Sequence, residues 1–164
     1  MNYSLYKNKF PILLLFVFSV FFANNLHAQT NGLGLGLAFG EPTGICFKKW
    51  VDDEHAITGT VAYSIISQSY FWSFNGSYTL NKFKTIGYKN KVGFQYGIGF
   101  RVSTRDNLRT LLGLRSSASV VWYPNFLPID FYFEFAPVLF VYPYPGLGLD
   151  AGAGIRYYFK YFQD

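Results

Sequence analysis

Two carboxylates, Asp130 and Glu134, stand four residues apart in the stretch IDFYFEF, and paired carboxylates are what glycoside hydrolysis uses. On an extended strand four residues span ~13 Å at 3.3 Å each, beyond the ~5 to 9.5 Å that this mechanism requires. The pair is therefore read as structural, neutralising nearby cations. Of the two histidines one falls in the leader described below, so His55 and the single cysteine, Cys46, are too few for a zinc or iron site built from the usual ligands. Metal binding by carboxylates alone has no further support, and neither GxGxxG nor GxxxxGK[ST] occurs, so no cofactor is expected. NGS at Asn75 matches a glycosylation sequon but falls inside a strand pattern. Lys82, Lys84, Lys89 and Lys91 read as a solvated loop rather than a nucleic-acid surface.

Composition sets the solvent these residues face. Of 164 residues 51% are hydrophobic and 22% aromatic, while 14% are charged, against roughly 25% in a soluble domain. Lys7 and Lys9, the apolar run FPILLLFVFSVFFA and then LHAQ predict a signal peptide over residues 1–28, cut after Ala28. The apolar run, Phe10 to Ala23, is short of the ~18 to 20 residues of a spanning helix. Residues 29–164 then form one domain, and loss of the leader's two lysines lowers the net charge from +5 to +3. Cys46 can make no internal disulfide and does not follow the cleavage site, so neither a disulfide scaffold nor a lipoprotein is indicated.

After the leader the hydrophobic period is two. Eight strands are predicted, about 31–39, 43–50, 55–64, 69–80, 91–102, 108–123, 129–142 and 147–161, with a lysine-rich link NKFKTIGYKNK between the fourth and fifth. One face of each is bulky and apolar: Val92, Phe94, Tyr96, Ile98 and Phe100 oppose Gly93, Gln95, Gly97, Gly99 and Arg101. The opposite face is mostly Gly, Ser, Thr and Ala, which fits the narrow interior of an eight-stranded barrel better than the surface of a soluble carrier. The expected fold is an all-β, eight-stranded antiparallel up-and-down transmembrane β-barrel, oily side outward.

Strand parity then sends Lys48, Arg101, Arg115, Arg156 and Lys160 inward with Asp130, Glu134 and Asp150. Unpaired ions in a filled lumen cost several kcal/mol, so a salt-bridge network is expected, Asp130 and Glu134 flanked by Arg115 and Arg156. Closure should bring the glycine stripes of residues 32–40 and 146–154 together, leaving room for inward Tyr132 and Tyr158. Trp50, Trp122, Tyr123, Tyr142 and Tyr144, at strand ends, suit interfacial girdles.

The leader ending LHAQ, the eight alternating strands, the inward charges and the final strand GLDAGAGIRYYFKYF resemble the small outer-membrane β-barrels of the OmpA-transmembrane and OmpX type. The resemblance implies residence in the outer membrane of a Gram-negative-type bacterium as a monomer. It also implies insertion by the outer-membrane assembly machinery through an aromatic final strand, here Tyr157, Phe159 and Tyr161. The role expected is non-enzymatic, in envelope structure or surface interaction, with contact to outer-membrane lipid and room for an external ligand at the loops. Alternatives are a lipid A-modifying enzyme (deacylase or acyltransferase), a narrow channel or a soluble lipocalin-like carrier. With the N-terminus periplasmic, His55 opens its strand at the periplasmic end, far from an outer-rim Ser and His pair.

Overall fold

A computed structural model of the chain describes residues 32–41, 43–64, 71–86, 90–105, 109–124 and 126–159. The leader expected over residues 1–28, Lys160 and Tyr161 lie outside the described residues. Eight strands follow one another: β1 (Leu33–Glu41), β2 (Thr43–Trp50), β3 (His55–Ser64), β4 (Phe71–Ile86), β5 (Asn90–Arg105), β6 (Arg109–Tyr123), β7 (Ile129–Tyr142) and β8 (Gly146–Phe159). Each pairs antiparallel with the next and β8 pairs with β1, closing an up-and-down barrel.

The period of two is what makes the barrel two-sided. Ile98 is 71% exposed, Trp72 62% and Phe133 59%, while Lys48 and Asp130 are at 0%. Where the outward face carries glycine, a neighbour's ring covers the gap: a Cβ on Gly76 would meet Phe100 at 3.1 Å, and Gly59, its cross-strand partner, lies under Phe47.

Two expectations need correction. The lysine-rich link is strand through Ile86 and again from Asn90 rather than loop, because the alternation continues: Asn81 is buried, Lys82 exposed, and Phe83 reaches inward to within 5.8 Å of Trp50 and 5.6 Å of Tyr123, ring to ring. The pairs Lys82↔Phe94 through Ile86↔Asn90 extend the β4–β5 hairpin accordingly. Of the aromatics assigned to girdles, Trp122, Tyr142 and Tyr144 are exposed, but Trp50 and Tyr123 are buried inside. Trp50 shares the parity of Lys48, and Tyr123 that of Ser119 and Val121, so the pleat turns both inward.

The glycine stripes meet over part of their length. Ala38 pairs with Gly154 and Gly40 with Gly152, whereas Gly34 and Gly36 pair with Tyr158 and Arg156. Gly146 and Gly148 lie past the last β1 pair, Glu41↔Ala151, beside Phe140 and Val138 of β7. The missing side chains do make room: a Cβ on Gly34 would come 2.9 Å from the Tyr158 ring, and one on Gly36 would overlap the Ile155 carbonyl.

Candidate functional site

The lumen concentrates the charged side chains, and it has two layers. Toward the end that holds the β2–β3 turn, Trp50, Ala56, Val121, Tyr123 and Tyr158 pack into an apolar plug, with Phe83 and Tyr132 against it. Directly above, Asp130 of β7 accepts from Arg156 Nε of β8 at 2.9 and 3.2 Å and from the Tyr158 hydroxyl. The Arg156 guanidinium also lies 4.2 Å from the centre of the Tyr132 ring, a cation–π contact. Asp130 and Arg156 face one another because the register pairs them directly.

Lys48 sits in the same layer without a carboxylate in ion-pair range among the described residues. Its ammonium donates to Asn81 Oδ1 at 2.6 Å, Gln95 Oε1 at 2.9 Å and the Tyr123 hydroxyl at 3.1 Å, and stands 4.0 Å over the Trp50 ring. Three neutral acceptors and an aromatic face thus take the place of a counter-ion. Asn81 completes the link to the turn by donating Nδ2 to the Glu54 carbonyl at 3.0 Å.

The second layer is nearer the opposite end. Arg101 is ion-paired with Asp150, and its Nε donates to Ser103 Oγ at 2.9 Å. Arg115 bridges two strands, reaching Glu134 at 2.5 Å and Asp150 at 3.5 Å, with Ser77 Oγ at 3.4 Å. Ser119 donates to the other Glu134 oxygen at 3.4 Å. Beside this layer is a cavity of about 40 Å³ lined by Thr60, Asn75, Arg115, Tyr132, Glu134 and Asp150. That is room for a few waters.

Seven of the eight interior residues read from the sequence are described, and six of them form two separate ion-paired groups in the lumen. Arg156 with Asp130 forms one ion pair; Arg101, Arg115, Glu134 and Asp150 form a second cluster; Lys48 joins neither. Sequence reading missed the set around Lys48. Asn81 fell in the supposed loop, and Trp50 and Tyr123 were placed on girdles, although their inward parity was available.

Asp130 and Glu134 are each engaged by a different arginine. His55 is partly exposed near the strand's first turn, its Nδ1 2.9 Å from Asp52 Oδ1 and its ring stacked on Tyr78 at 5.5 Å. The Asp52 carboxyl, in the turn itself, is held below the usual carboxylate range by the Glu54 N–H first, then by the His55 side chain and N–H. Cys46 is buried. Among the described residues no three of His, Cys, Asp and Glu converge as a metal ion would require. On the final strand Tyr157 and Phe159 sit together outward, ring centres 5.0 Å apart.

No family model, curated protein or solved structure matches this chain.

Proposed function

We propose that this chain is an integral outer-membrane β-barrel protein of a Gram-negative-type bacterium, non-enzymatic and monomeric, with a lumen filled by its own side chains. On this reading it serves envelope structure or surface interaction. One observation carries the proposal: the closed sheet turns bulky apolar side chains outward and charged ones inward, the sidedness that lipid favours. Ile98, Trp72, Leu114, Phe133 and Leu149 stand 58–71% exposed on several strands, while Arg156, Arg115 and Lys48 are at most 3% exposed inside. A water-soluble monomer rarely exposes a contiguous apolar patch beyond a few hundred Å², and here the apolar face runs round the barrel. Closure also pairs the strands' backbone groups with one another, which hydrocarbon demands.

The same observation weighs against a soluble carrier, which would place its apolar face inward around a ligand. A plugged lumen weighs against a steady pore. The signal peptide and the aromatic pair Tyr157 and Phe159 support export and handling by the outer-membrane assembly machinery, with the β2–β3 turn facing the periplasm. Cell fractionation with gel mobility before and after boiling tests the reading. The protein is expected in the outer-membrane fraction, migrating faster unboiled because the folded barrel resists detergent. A soluble species whose mobility ignores boiling would overturn it.

A further inference from the structure

The outward border of the barrel at its plugged end is not uniform around the circumference. On β6, β7 and β8 it is aromatic and uncharged: Trp122 stacks on Phe131 at 5.4 Å, and Tyr157 packs on Phe159. On β2–β4 the same border carries charge in a definite order. Lys49 points outward between Leu33 of β1 and Ile57 of β3, at the last apolar row, and Lys82 points outward from β4 opposite Phe94 of β5. Beyond this row, farther from the apolar belt, the turn presents Asp52, Asp53 and Glu54, all exposed.

These charges are not mutually cancelled. Asp52 accepts from the Glu54 and His55 N–H groups at 2.8 and 2.7 Å and faces the His55 ring, and Glu54 holds Lys82 at 2.8 Å. Lys49 and Asp53 form no ion pair among the described residues. An ammonium at the acyl border and a carboxylate one step farther out are thus left facing solvent.

We propose that this corner, Lys49 with the Asp53 turn, is a headgroup site for a phospholipid that carries a primary ammonium beyond its phosphate. The proposal rests on the membrane reading above. In such a lipid the phosphate lies against the acyl border and the ammonium farther into water, joined by a two-carbon link. Lys49 borders the last apolar row and Asp53 lies beyond it in the turn, the order in which such a headgroup presents its phosphate and its ammonium. A purely anionic headgroup gains equally from Lys49 but sets a neutral group beside Asp53, which stays unpaired. The aromatic border on β6–β8 anchors the interface without distinguishing headgroups.

The test inserts the protein into vesicles of equimolar phosphatidylethanolamine and phosphatidylglycerol, extracts it in mild detergent and reads the retained lipid by native mass spectrometry. The Lys49–phosphate pair is common to both lipids, so the preference rests on the one exposed Asp53–ammonium pair and is at most about fivefold for the ethanolamine lipid. Lys49→Ala with Asp53→Ala should bring retention near parity, and Asp53→Lys should favour the glycerol lipid. Parity in the wild type, or an undiminished preference in the double variant, overturns the proposal. Heat-modifiable mobility on the same samples separates the causes. A folded, inserted barrel without preference refutes this site alone, and failure to insert refutes both the site and the membrane reading.

Discussion

The two ends of the lumen solve the same problem, ions inside a narrow barrel, in different ways. At the plugged end Asp130 and Lys48 are at 0% exposure and Arg156 at 3%, sealed by Trp50, Tyr123 and Tyr158. Each charge there depends on one or a few fixed partners. At the other end the side chains of Glu134 and Asp150 are 20% and 12% exposed, Arg115 has three partners, and a water-sized cavity adjoins them. The difference teaches that ion-pair count does not measure dependence. Where water is excluded a lost partner has no replacement, and where water enters a lost partner can be substituted.

The contrast is broken most severely at Asp130. Asp130→Leu strands the Arg156 guanidinium beside Tyr158 and should cost ~3 to 5 kcal/mol, read from urea unfolding of the barrel. Combining it with Arg156→Leu should return much of that loss, because the pair is then removed whole.

Next in size is the seal. Trp50→Ala removes a buried ring from the plug and the aromatic face under Lys48, at ~3 kcal/mol by the same unfolding assay. With Tyr123→Ala added, planar bilayers should show ion conductance that the wild type lacks.

The strands and their phases were legible because period-two alternation is a local property: Val92 to Arg101 or Asp130 to Phe135 each sort into two faces without reference to any neighbour. Inward charges followed from the same parity. The extent of the β4–β5 hairpin was not legible, since lysines at 82, 84 and 91 look like loop until Phe83 is seen filling the space between Trp50 and Tyr123. The partners of Lys48 were hidden for a different reason. They come from β4, β5 and β6, and only the register across several strands decides that Asn81, Gln95 and Tyr123 reach one ammonium. The bulge between Leu112 and Gly113, which shifts the β6–β7 register, leaves no local mark either.

Glu134→Ala, at the open end, sharpens the contrast. Arg115 keeps Asp150 and Ser77, and water can enter, so the loss should be ~1 to 2 kcal/mol, clearly below that of Asp130→Leu under the same conditions. Equal losses at the two positions would remove the distinction between the ends.

The smallest effect belongs to the turn outside the barrel. Because the Glu54 and His55 hydrogen bonds lower the pKa of the Asp52 carboxyl on folding, its contribution is present above the ordinary carboxylate value of ~3.9 and fades as pH falls through the lower folded value. The thermal midpoint of wild type should therefore exceed that of Asp52→Asn slightly at neutral pH, with the gap closing below pH ~4. A gap independent of pH would mean that the carboxylate's hydrogen bonds to Glu54 and His55 contribute nothing.

The three tryptophans allow the most direct test of sidedness. Trp72 and Trp122 are 62% and 40% exposed on the outside, and Trp50 is 7% exposed inside. Variants retaining one tryptophan each, with phenylalanine at the other two positions, would be inserted into vesicles whose acyl chains carry bromine, a contact quencher of indole fluorescence. Strong quenching of Trp72 and Trp122 with Trp50 nearly unaffected is the predicted result; quenching of Trp50 with Trp72 spared would contradict the account.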